Sequence, residues 1–334
     1  MSKYVLVLIA TLIFVAGCTS TGIPQVTVQE DKQVENPKDA LVINDILTLP
    51  KSPIFPEQSV TLLFIIENKD EKKEVSNVYV HLFDPVNFKT PEGSPFEIIV
   101  PADCGVPVYV NPNPSGCTLY PGEQRQIAIP MIAPSVDDIA NVKLETDLQF
   151  QVFYTFNGST VFELPVVRLE EVLMRQRAGE TLEIERRNII GSGPVQAEVD
   201  LLDPGFMVPG ENSRLVIKFL DKGGSQGFLK DSKIPKFSST APIKGIGIRI
   251  PKAVAESVTF PSGKFDCWPT ETDWYCFNND DIDLFKGESS EYLILVNNVK
   301  DPGAPFKTFT MTITTLYDYE LREKVNVVVN PFGA

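Results

Sequence analysis

The stretch Leu148-Gln149-Phe150-Gln151-Val152-Phe153-Tyr154-Thr155-Phe156-Asn157-Gly158 decides the fold class. Leu148, Phe150, Val152, Tyr154 and Phe156 recur at every second position, with Gln149, Gln151 and Thr155 between them. A period of two puts these sets on opposite faces of a strand, one apolar and one wet. Asn157-Gly158 then reads as a two-residue hairpin turn, because both residues accept positive φ. Residues 161–167 read as the returning strand.

Working outward, similar short runs appear on both sides. Residues 60–66 (Val-Thr-Leu-Leu-Phe-Ile-Ile), 78–83, 96–100 and 126–129 are rich in β-branched and aromatic residues, and turn clusters separate them. Pro occurs 27 times and Gly 21 times, which suits many strands joined by turns and suits long helices badly. The expected class is all-β, an antiparallel β-sandwich. Residues 168–193 are ambiguous. Leu169, Val172 and Leu173 stand at helical spacing with Gly179 as a stop, yet an edge strand plus linker fits as well.

The second half repeats the first. Glu57 before a strand is echoed by Glu211, an offset of 154 (211 − 57). Cys104 and Cys117 are echoed by Cys267 and Cys276, at offsets of 163 (267 − 104) and 159 (276 − 117). Tyr154 is echoed by Tyr317, again 163 apart (317 − 154). Both halves close on an apolar strand, 161–167 and 325–329. We therefore divide the chain into two tandem sandwiches, 41–167 and 194–334, with 168–193 as connector.

The first eighteen residues set the compartment. Lys3 gives a positive start, residues 4–15 are apolar without a charge, and Val15-Ala16-Gly17-Cys18 closes the run. This is short for a membrane-spanning helix and has the three-part build of a secretory signal. Its Ala-Gly-Cys ending resembles a lipoprotein signal, which implies a lipid on Cys18 and an extracytoplasmic protein held to the cell membrane. Residues 19–40 are polar and read as a flexible tether.

Five cysteines minus Cys18 leave two local pairs, read in an oxidising exterior as Cys104–Cys117 and Cys267–Cys276 disulfides. A four-thiolate zinc site is the rival, but neither pair has close-set spacing. The net charge of −14 opposes nucleic acid, whose phosphates need a basic footprint. No cofactor is implied. One histidine, His81, leaves little room for imidazole-based catalysis or zinc chemistry. Gly223-Gly224-Ser225-Gln226-Gly227 matches a nucleophile-elbow pattern, yet no helix is expected after it, and the histidine lies upstream.

Three surface features remain. Phe265, Trp268, Trp274, Tyr275 and Phe277 surround Cys267 and Cys276, and both tryptophans of the chain are among them. These rings either cap the second core, the reading we favour, or let Trp268, Trp274 and Tyr275 meet a sugar or a protein. Asn278, Asn279, Asp280, Asp281 and Asp283 crowd oxygen donors together. Asp280, Asp281 and Asp283 are weak calcium candidates beside the plainer reading of a solvated acidic turn. Asn157-Gly158-Ser159 is a glycosylation sequon, or an ordinary Asn-Gly turn.

Residues 59–69 (Ser-Val-Thr-Leu-Leu-Phe-Ile-Ile-Glu-Asn-Lys) followed by Val78-Tyr79-Val80 resemble immunoglobulin-like modules of the CARDB type. The second copy departs from the pattern, with Asp221 where the first has Glu67-Asn68. Such modules recur on archaeal and bacterial cell surfaces, including S-layer-associated proteins. The resemblance implies a non-catalytic surface module. The expected role is adhesion, scaffolding or envelope binding, with an envelope protein or glycan as partner. The alternative is a carbohydrate- or solute-binding module serving a transporter or extracellular enzyme.

Overall fold

The computed structural model describes residues 26–34, 39–91, 98–101, 116–180, 182–191, 193–202, 204–224, 227–239 and 244–331. Cys18, Cys104 and Ser225 lie outside them. In chain order the first half comprises β1 (Val26–Val34), β2 (Leu41–Leu49), β3 (Ser59–Asn68), β4 (Val75–Asp84), β5 (Ile98–Pro101), β6 (Cys117–Leu119), β7 (Gln124–Ile132) and β8 (Leu144–Val167). Helix α1 (Leu169–Ala178) and β9 (Leu182–Ile190) follow. The second half begins with β10 (Val195–Leu201), β11 (Ser213–Asp221), β12 (Gly227–Leu229), β13 (Lys233–Ile234), β14 (Gly245–Pro251) and β15 (Ala255–Thr259). It ends with β16 (Phe265–Pro269), β17 (Asp273–Asn278), β18 (Ile282–Asp283), β19 (Tyr292–Val299) and β20 (Phe306–Val329).

The molecule is an all-β sandwich. Among the described residues, one large sheet runs in the order β1-β9-β8-β20-β14-β17-β16, with β12 on β20 and β4, β5 and β6 joined beside β8. The small sheet β2-β3-β7 belongs to the first half, and β10-β11-β19-β15 to the second. The same neighbours recur in each half: β3 pairs β7 as β11 pairs β19, and β4 flanks β8 as β14 flanks β20.

The hairpin expected at Asn157-Gly158 is absent; strand β8 runs straight through it for 24 residues. The reason is tertiary. β20 is also 24 residues long and pairs with β8 from end to end, so Leu316 and Thr315 stand opposite Asn157 and Gly158. With a full ladder on offer, no backbone group gains by turning. Gly158 serves close approach instead, since a Cβ there would meet Thr315 Oγ1 at 2.5 Å. Residues 161–167 and 325–329 are likewise not separate closing strands but the ends of β8 and β20.

Each long strand thus belongs to both halves. The first part of β8 lies beside β4, and its second part beside β9. The first part of β20 lies beside β14, while its end reaches Ile54 of the first half, where Ile54 N–H donates to Val328 O at 2.8 Å. The inward residues form one continuous core that includes Leu62, Phe64 and Phe150 from one half and Ile248, Ile294 and Ile313 from the other. Phe64 and Phe150 stack at 4.5 Å across the first sandwich.

Two further expectations change. Residues 26–34 of the proposed tether form β1, paired in parallel with β9 over nine positions. It closes the sheet at that end, held by its ladder to β9. The connector resolves into both alternatives in succession: α1, closed by Gly179 at φ 71° donating to Arg175 O and Gln176 O, and then strand β9. A small apolar cluster of Val167, Val172, Leu182, Ile184, Phe206 and Val208 seats the helix. Among the described residues no helix is long and apolar enough to cross a membrane.

Candidate binding face

The hairpin β16–β17 is closed by the expected bond between Cys267 and Cys276, with S–S 2.04 Å between directly opposed residues. Alternation then sorts the aromatics. Phe265 points inward, stacked on Phe260 at 4.5 Å and edge-on to Tyr292 at 5.5 Å. Trp274 shares the inner face, packs against the core, and its Nε1–H donates to Ala255 O at 3.2 Å. Trp268, Tyr275 and Phe277 fall on the outer face. The capping reading therefore holds for Phe265 and Trp274, whereas Trp268, Tyr275 and Phe277 face outward, so Trp274 does not share a face with Trp268 and Tyr275.

Ladder register places the outer residues in rows. One row reads Trp268, Tyr275, Arg249, Thr312, Val161, Ile189 across six strands. The next reads Asp266, Phe277, Gly247, Thr314, Ser159. The third contains Gly245, Leu316 and Asn157. Trp268 lies against Phe277 at 4.0 Å and Tyr275 at 5.8 Å, and Phe237 abuts Phe277 at 5.1 Å. The Arg249 guanidinium sits 5.8 Å from the Tyr275 ring centre. Burial pushes the Tyr275 hydroxyl above its ordinary range, with Arg249 opposing, so the phenol is neutral at physiological pH. Gly247 makes the platform possible. A Cβ there would stand 2.7 Å from the Tyr275 hydroxyl and 3.0 Å from Thr314 Oγ1.

Beyond the third row the face dips into a cleft of about 610 Å³, bordered by Lys73, Tyr120, Thr155, Asn157 and Leu316. Tyr120 is 63% exposed and Trp268 42%. Lys73 Nζ donates to Asn157 O and to Ser159 Oγ, each at 2.9 Å, which ties the β3–β4 loop onto the middle of β8. Thr155 Oγ1 donates to Asp318 Oδ1 at 2.7 Å, and Lys244 pairs with the other Asp318 oxygen.

Other sequence candidates are placed as follows. The Asn157 side chain is exposed in mid-strand, not on a hairpin tip. Cys117 is buried in β6. His81 is half-buried on β4, its ring 6.4 Å from Phe153. Gly223 and Gly224 lead into strand β12, so the nucleophile-elbow pattern lacks its helix. The oxygen-rich segment divides its groups among protein partners. Asn278 accepts from Ile246 N–H and donates to Pro235 O and Asp280 O; Asp280 pairs with Lys264, and Asp281 with Lys233. Asp283 is exposed on β18. Among the described residues, no three His, Cys, Asp or Glu side chains are grouped to hold a metal ion.

Sequence reasoning missed Arg249, Thr312 and Thr314. The alternation of Thr308, Thr310, Thr312 and Thr314 was a signal for a hydroxyl-bearing strand face. Which strands would flank it was not readable.

No family model matches the chain, and no curated protein matches it. A solved protein of unknown function from Porphyromonas gingivalis W83 aligns with 87% of this chain and 99% of its own, at 12% identity and a TM-score of 0.18. The serine-rich repeat protein Srr2 from Streptococcus agalactiae aligns with 88% of this chain and 95% of its own, at 10% identity and a TM-score of 0.13. A partial N-terminal region of an enterococcal surface protein aligns with 95% of this chain and 89% of its own, at 9% identity and a TM-score of 0.17. At such TM-scores these likenesses carry no weight for function.

Proposed function

We propose that the chain is a non-catalytic surface protein, exported and lipid-anchored at Cys18, that displays its outer sheet face for adhesion, scaffolding or envelope binding. The carrying observation is the strand order. β1 begins eight residues after Cys18 (26 − 18) and closes one end of the large sheet, while the aromatic hairpin strand β16 closes the other. Eight residues span at most about 28 Å of extended chain. Six strand spacings of about 4.8 Å set β16 about 29 Å from β1. A lipid on Cys18 would attach the chain at the β1 end of the sheet, the end opposite the strand that carries Trp268. The likeness of residues 59–69 to CARDB-type envelope modules, S-layer-associated ones among them, supports the same role.

The test is metabolic labelling with radioactive palmitate in a host that processes lipoproteins. The intact chain should take up label and Cys18→Ser should take up none. An unlabelled wild-type protein would defeat the anchoring proposal.

A further inference from the structure

We propose that helix α1, with Phe306 beside it, seats on the bilayer surface of the cell membrane and holds that end of the molecule there. This rests on, and deepens, the reading of the chain as a surface protein attached through its N-terminal segment. α1 buries Val172 and leaves Leu169, Leu173 and Met174 exposed, by 50%, 39% and 58%. Phe306, 43% exposed, stands opposite Val167 in the ladder, and Arg168 N–H at the start of the helix donates to Pro305 O at 3.0 Å. The four side chains therefore belong to one end of the molecule, where β8 leaves the sheet and β20 enters it. Single exposed apolar residues are ordinary, whereas several at one place mark an interaction surface.

What else lies at this end selects the occupant. The parallel ladder sets Val26 beside Leu182, and extending the β8–β9 register, in which Thr160 faces Ile190, brings Leu182 level with Arg168. The chain thus leaves β1 toward its N-terminus two strand spacings, about 10 Å, from the start of α1. Cys18 lies eight residues further back (26 − 18), preceded by the uncharged apolar run 4–15. Those eight residues reach at most about 28 Å. Val142, 62% exposed, precedes the opposite end of β8, and 24 strand residues at about 3.3 Å set that end about 80 Å away. A bilayer that takes up residues 4–18 is therefore within reach of α1, and meets the far end only if the molecule lies flat.

Charge points the same way. The chain carries −14, which an anionic surface repels, but α1 balances Glu170 and Glu171 against Arg175 and Arg177. Glu171 and Arg175 pair at 2.6 Å, and Arg168 pairs with Asp301 at 2.7 Å. The exposed Glu170 and Arg177 are of opposite sign. Such a helix enters the headgroup boundary by burying its apolar side chains, about 5–10 Å deep, and needs no anionic lipid. Leucine is under-represented in protein hot spots, while leucine and phenylalanine mark interfacial helices, which favours a bilayer over a protein partner.

The experiment uses the full-length protein, purified in detergent and reconstituted into phosphatidylcholine vesicles with and without doxyl-labelled acyl chains, which quench tryptophan on contact. Leu173→Trp and Met174→Trp place reporters on α1, and Val142→Trp places one at the far end. Native Trp268 and Trp274 give the background. We expect the emission added by Leu173→Trp to fall roughly two-fold or more in the doxyl vesicles, as for a helix buried at the headgroup boundary. Emission of the wild type and of Val142→Trp should not change. Leu169→Asp combined with Phe306→Asp should abolish the quenching of Met174→Trp while the far-ultraviolet signal stays native. The proposal is overturned if Leu173→Trp is not quenched, if Val142→Trp is quenched as strongly, or if the aspartate pair leaves quenching untouched. It is also overturned if the protein stays out of the vesicles, or pairs with a second copy through this face, seen as a dimer in light scattering that Leu173→Asp dissolves. Palmitate labelling reads Cys18 alone. An unlabelled chain whose Leu173→Trp emission is quenched defeats the lipid anchor and not this proposal, and the reverse also holds.

Discussion

Three buried tyrosines meet where β8 and β20 cross the join, and their hydroxyls are treated differently. Tyr319 donates to Asp221 Oδ1 at 2.9 Å, and Tyr317 accepts from Val195 N–H at 3.1 Å. Among the described residues the buried Tyr154 hydroxyl has no hydrogen-bond partner. Burial raises the pKa of all three, so each is a neutral phenol. The two kinds of substitution should therefore part company. Tyr319→Phe removes a bond to a carboxylate and should lower stability by about 1.5–3 kcal/mol. Tyr154→Phe deletes a group without a partner among the described residues and should be neutral or stabilising by up to about 1–3 kcal/mol. Urea unfolding of the two variants measures both. A loss above about 1 kcal/mol in Tyr154→Phe would mean that the hydroxyl has a partner in solution.

At the scale of elements, the reversal of the Asn157-Gly158 reading is the main lesson. A two-residue hairpin requires positive φ at both residues, which a β-branched side chain resists. An exposed mid-strand position accepts one readily. Asn157→Val should thus change stability by no more than about 0.5 kcal/mol, because its side chain is exposed and its carbonyl still accepts from Lys73. A thermal melt of that variant falling by 10 °C or more would restore the hairpin. The hairpin β16–β17 shows the converse. There the pairing read from the sequence, Cys267 with Cys276, agrees with the structure and lies between opposed residues, while the grouping of Trp274 with Trp268 and Tyr275 gives way to the alternation of faces.

At the scale of the whole molecule, two sandwiches that share β8, β20 and one core should unfold as one unit. Both tryptophans lie in the second half, so their fluorescence reports on that half. Phe64 is fully buried in the first half, and Phe64→Ala should remove about 3–5 kcal/mol. We expect the tryptophan transition to shift to lower urea together with the far-ultraviolet signal. Two autonomous domains would leave the tryptophan midpoint where it was and split the transition in two.

All-β character, the alternating core positions of the first part of β8 and the Cys267–Cys276 bond were legible in the amino-acid order, because period-two burial and short loops are local properties. So was the clustering of aromatics about that bond. Which of them face outward, whether Asn157-Gly158 turns, and what residues 26–34 pair with were not. Those outcomes depend on partners distant in the chain: β20 for β8 and β9 for β1, each more than a hundred residues away, and β14 for β17 and β20, whose paired residues lie 22 to 30 (273 − 251, 277 − 247) and 63 to 71 (312 − 249, 316 − 245) positions on. A strand's ladder hydrogen bonds are supplied by its neighbours, so only the assembled sheet decides where a strand ends and which side chains meet across it.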